Sequence, residues 1–179
     1  MNPTKITIKA EVSANRQKVW DYYTQPNHIT NWNFADPGWH CPKASNDMKI
    51  GGKYMARMEA KDGSFGFDFE AFYNEIVDGE KFTYTMTDNR AVHVHFKELG
   101  DKTEVTVTFD IENENPVEMQ EHGWQLILAN FKKIHRKPLR GSNEFNCPAD
   151  ANWLRCNEFN CPADAINSIV LRTQLATLQ

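Results

Sequence analysis

PVEMQEHGWQLILANFKKI, residues 116–134, dictates how the rest of the chain must be arranged. Trp124, Ile127, Leu128, Phe131 and Ile134 recur at spacings of three and four, which lays them along one stripe of a long helix. Five runs of alternating apolar and polar residues precede it, separated by the turns KDGS (61–64), VDGE (77–80), TDNR (87–90) and ELGDK (98–102). Successive side chains on a strand point to opposite faces. One face therefore collects Tyr54, Ala56, Met58 and Ala60, then Phe65, Phe67, Phe69 and Ala71, then Phe82, Tyr84 and Met86. Val92, Val94 and Phe96, followed by Val105, Val107 and Phe109, complete it. Short turns between such runs mean antiparallel hairpins in sequential order. A sheet with one apolar face needs a cover, and the long helix is the element large enough to supply it.

Toward the amino terminus, KITIKAEV (5–12) places Ile6, Ile8, Ala10 and Val12 on one face of a further strand. Ser13 is positioned to cap a helix by accepting a bond from a free backbone N–H, with Val19, Trp20 and Tyr23 on the buried side. Pro26 suits the first turn of a second short helix, where its missing donor is harmless, and Ile29 and Trp32 face inward. The stretch NWNFADPGWHCPKASNDMKIGG (31–52) is rich in turn formers and reads as an irregular connection, with Gly51 and Gly52 suiting a bend where the sheet begins to curl. The expected class is α+β: one antiparallel sheet of about six strands, two short helices after the first strand, and a long helix at the end.

Composition excludes several functions. A net charge of -4 argues against a nucleic-acid partner, which requires clustered Lys and Arg. No run of 18 apolar residues spans a membrane. The start, MNPTKITIKAEV, lacks the apolar core of a secretory leader. Cys41 stands alone in the first 140 residues, while Cys147, Cys156 and Cys161 lie beyond them, so no disulfide framework threads the folded part. A reducing cytoplasm is the expected compartment.

Four segments, VWDYYTQPNHITNW (19–32), GWHCPKASNDMKIGGKY (38–54), MEAKDGSFGFDFEAFYNEIV (58–77) and NPVEMQEHGWQLILANFKK (115–133), resemble the SRPBCC or START-like superfamily, and within it the homologues of the activator of heat-shock protein 90 ATPase. The resemblance covers roughly residues 4–133. It implies the helix-grip fold, in which a curved antiparallel sheet wraps a long carboxy-terminal helix and leaves an apolar cavity between them. Gly123, in mid-helix, costs about 1 kcal/mol against alanine and would let a strand or ligand approach the helix backbone closely.

The resemblance ends near residue 137, and residues 138–179 read as a separate tail. NEFNCPAD occurs there twice, at 143–150 and 157–164. Gly141-Ser142 and Glu144-Phe145 are also what two common cloning sites encode in frame, so a vector-derived or out-of-frame origin is the simplest reading. Cys156 and Cys161 have the spacing of half a zinc site, but the second pair of ligands is missing. Two octets cannot build a solenoid core. A helix over 162–178 is the one element the tail suggests.

For a ligand site the candidates are the residues turned toward the helix: Tyr54, Met58, Phe67, Phe69, Phe82, Tyr84, Met86, Val94, Trp124 and Leu128. By periodicity alone they would fill a solid core; the implied fold turns the reading toward a cavity that holds an apolar or amphipathic small molecule. Trp39, His40 and His122 are candidate polar groups at that cavity. Cys41 beside His40 could make a nucleophile pair in a loop, although adjacent residues rarely point at one another. His93 and His95 share the outer face, where a solvated position outweighs a metal pair. No cofactor, metal or assigned catalytic residue is expected. A START-like enzyme and a chaperone-interaction module remain the rival functions, and the sequence sets no oligomeric state.

Overall fold

Every second residue of β1 (Lys5–Val12) is buried, as the alternation of KITIKAEV requires. The chain then bends tightly, with the Ala14 N–H donating to the Val12 carbonyl at 2.9 Å. That bend takes up Ser13 and leaves it two residues short of the cap position, so Asn15 is the cap instead: its Oδ1 accepts from the Lys18 N–H at 2.9 Å. Helix α1 (Arg16–Thr24) and the single turn α2 (Pro26–Ile29), opened by its proline, follow. This computed structural model describes residues 4–134; the repeat, the cysteines and the helix expected in the tail lie outside the described residues.

Among the described residues the sheet has seven strands, one more than the sequence pattern marks. Beyond β1 it contains β2 (Trp39–Asn46), β3 (Lys53–Ala60), β4 (Gly66–Val77), β5 (Lys81–Met86), β6 (Ala91–Leu99) and β7 (Lys102–Asp110). Their spatial order is β1-β7-β6-β5-β4-β3-β2, each neighbouring pair antiparallel, so sequential hairpins build one long meander and β1 adds to its far side. The unexpected strand is β2, in the stretch that reads as an irregular connection. It is an edge strand whose register shifts between His40 and Lys43, around Pro42. Proline cannot donate to a ladder and is tolerated at edges and bulges. Only Trp39 and Cys41 of β2 are buried, which hides its alternation.

The expected turns recur where the sequence places them, with left-handed backbone at Gly79 (φ 70°) in VDGE and Asn89 (φ 68°) in TDNR. Gly52 is required by space. A Cβ there would lie 2.1 Å from the Asp47 carbonyl oxygen. The bend it permits lets the Gly51 N–H donate to the Tyr73 carbonyl at 2.7 Å and the Gly52 carbonyl accept from the Tyr73 N–H at 3.0 Å. A second register shift, between Tyr73 and Glu75, bends β4. The sheet curls into a half-barrel, and α3 (Val117–Ile134) lies in it.

Asp110, the last residue of β7, ties that strand to its two neighbours, β1 and β6. It is buried, and it accepts from Lys5 Nζ at 2.6 Å and from the Ala91 N–H at 2.8 Å. Burial pushes its carboxyl up, but those donors outweigh burial and hold it below the ordinary carboxylate range. A depressed carboxyl stabilises the fold above its unfolded pKa of about 3.9, and this contribution is lost as pH falls through the folded value. Asp110→Asn should therefore lower the urea midpoint at pH 7, and its deficit against wild type should shrink below about pH 4. A deficit of equal size at pH 7 and pH 3 would show that the charge is not what Asp110 contributes.

Candidate functional site

Helix α3 seats its apolar stripe on the concave face. The Trp124 ring stacks on Phe109 at 4.5 Å, and Phe131 meets Tyr23 and Trp32 edge-on, both at 5.0 Å. Leu128 and Phe131 are buried, whereas His122 is exposed on the opposite side. Gly123 is buried where the helix passes over the sheet.

Under α3 lies a partly enclosed pocket with a volume of about 60 Å³. At about 10–15 Å³ per water-sized sphere, that is room for roughly four to six waters or one small ring. From the sheet, Tyr54, Met58, Phe69, Tyr73, Phe82, Tyr84 and Met86 form its floor. Met119, Gly123, Trp124, Ile127 and Leu128 form its roof, and Tyr23, Trp32 and Asn33 close one side. Three methionines among these walls give the pocket adaptable volume, since an unbranched thioether repacks easily.

Eight of the ten side chains expected to face the helix thus line one space: Tyr54, Met58, Phe69, Phe82, Tyr84, Met86, Trp124 and Leu128. Phe67 and Val94 do not. Phe67 sits toward the β3–β4 turn, packed against Trp39 at 6.2 Å and Phe65 at 6.4 Å. Val94 is buried in the sheet, in register between Phe82 and Val107. Tyr73 was missed although it continues the period of Phe67, Phe69 and Ala71; only its extension past Ala71 was needed. Tyr23 and Trp32 are inward-facing by their helical spacing, yet that spacing does not assign them to this space, and Asn33 and Met119 carry no signal, because tertiary packing and not strand alternation brings the four in.

The polar candidates lie elsewhere. Trp39 begins β2 and packs on Phe67, away from the pocket walls. His40 points outward, with Nε2 3.0 Å from Glu59 Oε1, while Arg57 Nε donates to Glu59 Oε2 at 3.1 Å. Those two donors hold the Glu59 carboxyl below its usual range. Cys41, one residue on, points inward, as strand alternation demands, so the two cannot work as a pair. Its thiol donates to the Lys43 carbonyl at 3.5 Å, and burial pushes its pKa up to about 11. A thiol so protonated and covered is a poor nucleophile. Native protein should consequently resist iodoacetamide at Cys41 at pH 7.5 and react once unfolded in urea; fast native alkylation, located by peptide mass spectrometry, would overturn this placement.

The outer face carries His93 and His95, both exposed, with His93 Nδ1 3.0 Å from Thr83 Oγ1. Among the described residues no three His, Cys, Asp or Glu side chains converge as metal ligands. No helix among them is long and apolar enough to cross a membrane.

Inside the pocket the chemistry is phenolic. Tyr54, Tyr73 and Tyr84 project from the sheet and Tyr23 from α1. Burial raises the ionisation of all four well above the ordinary phenol range, and neighbouring phenols add to the rise at Tyr23, Tyr54 and Tyr84. They are neutral donors at any working pH. The single cationic group among the described lining residues is Arg90, and its Nε is ion-paired with Asp88. Gln120 also reaches the wall, but its amide is engaged with Glu112 and Asn115. No carboxylate, imidazole or thiol is among the described residues that line the pocket.

A curled antiparallel sheet gripping a carboxy-terminal helix over such a space defines a helix-grip protein of the SRPBCC superfamily. The chain belongs to the family described as "Activator of Hsp90 ATPase homolog 1-like protein", whose sequence model matches residues 13–136. It is 36% identical to an AHSA1-like protein from Aeromonas hydrophila of known solution structure, over 73% of this chain and 90% of that one, with a TM-score of 0.70. It is 44% identical to a protein from Cytophaga hutchinsonii over the same shares, 73% and 90%, with a TM-score of 0.65. A crystal structure from Chromobacterium violaceum, 21% identical over 76% of this chain and 100% of that one, shares the fold at a TM-score of 0.66. None of the curated proteins matches the chain.

Proposed function

We propose that this protein is a binding module that holds an apolar or amphipathic small molecule between its sheet and α3. The observation that carries the reading is the pocket itself, walled by aromatic and methionine side chains with a few polar groups inside. That is the usual composition of a small-molecule site. Binding is favoured over turnover because general acid–base chemistry needs a group that exchanges protons near the working pH. The described lining residues offer phenols that stay protonated and an ion-paired guanidinium. A chaperone-interaction role enters through the family's name alone, and fold-level analogy is weak support for function.

Hydrophobic-dye titration and native mass spectrometry after gentle purification test the proposal together. Dye should bind with one-to-one stoichiometry. Gly123→Leu, which puts a side chain where the helix backbone now forms the wall, should weaken binding by about tenfold or more, roughly the effect of losing one well-filled apolar group. Unchanged dye affinity in a folded Gly123→Leu variant, with no bound species by mass, would contradict it.

A further inference from the structure

Three pocket tyrosines, Tyr23, Tyr54 and Tyr84, have hydroxyl hydrogens with no acceptor among the described residues, and Tyr54 and Tyr84 stand side by side on the sheet. Tyr84, 6% exposed, makes no hydrogen bond through its hydroxyl to any described residue. Tyr54, 7% exposed, accepts a bond from Asn33 Nδ2 at 3.1 Å, which leaves its own hydroxyl hydrogen without an acceptor among the described residues. Buried polar hydrogens are nearly always satisfied, by protein, water or ligand. Both residues stand on the same face of the sheet, two strands apart, and their rings are parallel within 2° with centroids 5.8 Å apart. On the concave face of a curled sheet side chains converge, which brings these rings together although their strands lie about 9–10 Å apart. An O–H···O bond spans about 2.7–2.8 Å. Rings this close let both phenols reach the same polar group of one ligand.

We infer that the pocket recognises a neutral carbonyl oxygen, carried on an apolar or aromatic body, through the paired hydroxyls of Tyr54 and Tyr84. A carbonyl oxygen has two lone pairs and can accept both bonds. The inference rests on the binding reading above and names the ligand's polar group. A carboxylate is disfavoured because the one cation among the described lining residues, Arg90, already has Asp88 on its Nε, and a second buried anion would have to share that single charge. A pure hydrocarbon is disfavoured because it would leave both donors desolvated and unmet.

Three single-ring probes of nearly equal size separate these classes: acetophenone, ethylbenzene and benzoate, titrated into isotope-labelled protein and followed by amide NMR shifts. Acetophenone should bind about tenfold tighter than ethylbenzene, the sum of two modest hydrogen bonds. Tyr84→Phe should reduce that preference about threefold while leaving ethylbenzene unaffected, and Tyr54→Phe should do the same, each variant keeping the wild-type spectrum elsewhere. Equal binding of acetophenone and ethylbenzene, insensitive to both substitutions, would overturn the carbonyl assignment and leave the binding module standing. Tighter binding of benzoate would replace it with an anionic class. Failure of all three probes would remove the binding reading itself, and this inference with it.

Discussion

Phe131→Ala is expected to cost about 3–5 kcal/mol, the range for deleting a fully buried phenyl from a core that cannot collapse around the gap. The ring is wholly buried and is held edge-on by Tyr23 from α1 and by Trp32 just after α2. It therefore ties α3 to the amino-terminal helical segment, distant in sequence, and Tyr23 cannot follow it without giving up its own contacts with Phe82 and Phe96 on the sheet. A loss of that size is a large share of the 5–15 kcal/mol that holds a typical domain together. Chemical denaturation would show the midpoint fall with little change in slope. A cost under about 1 kcal/mol would mean that α3 lies on the surface as a peripheral helix and does not fill the half-barrel.

Gln120→Leu should be nearly as damaging, at about 3 kcal/mol, for a different reason. The amide is buried; its Nε2 donates to the Glu112 and Asn115 carbonyls at 3.1 and 2.8 Å, and its Oε1 accepts from the Glu112 N–H at 3.0 Å. Leucine has similar volume but meets none of those groups, so buried backbone polar atoms lose their partners. Glu112 in turn accepts from the Asn115 N–H at 3.0 Å and from the Glu114 N–H, which fixes the link between β7 and α3. The substitution should loosen where α3 begins, raising amide exchange over residues 111–119 before the rest of the domain. Lys132→Ala, on the last exposed turn, should stay within about 0.5 kcal/mol and serves as the control. A Gln120→Leu cost of that same small size would mean the link is set by something other than this side chain.

Much of this arrangement is legible in the sequence because it is periodic. The stripe through Trp124, Leu128 and Phe131 and the alternation through Phe82, Tyr84, Val105 and Val107 are patterns that a helix and a sheet must show if one face of each is buried. β2 was not legible because its pairing is carried by backbone bonds, while Pro42 and a register shift interrupt the side-chain signal. The cap moved from Ser13 to Asn15 because a local turn, invisible to spacing, intervenes. At the pocket, alternation identifies which side chains face α3 but not how far along a strand the space extends. Phe67 and Trp39 face inward and fill their end of the sheet with each other, whereas Tyr84 faces inward toward open volume. Local pattern fixes the face; packing between distant elements decides where the face is left uncovered.

Amide and indole NMR shifts during titration with a hydrophobic dye test the central claim most directly, because they report where a ligand goes as well as whether it binds. Saturable changes should concentrate at Gly123, the Trp124 indole, Leu128 and the backbone of Tyr84, with His93, His95 and the exposed Ile50 and Phe72 unmoved. Changes centred on those outer residues, with Trp124 silent at saturation, would show that nothing enters the space beneath α3.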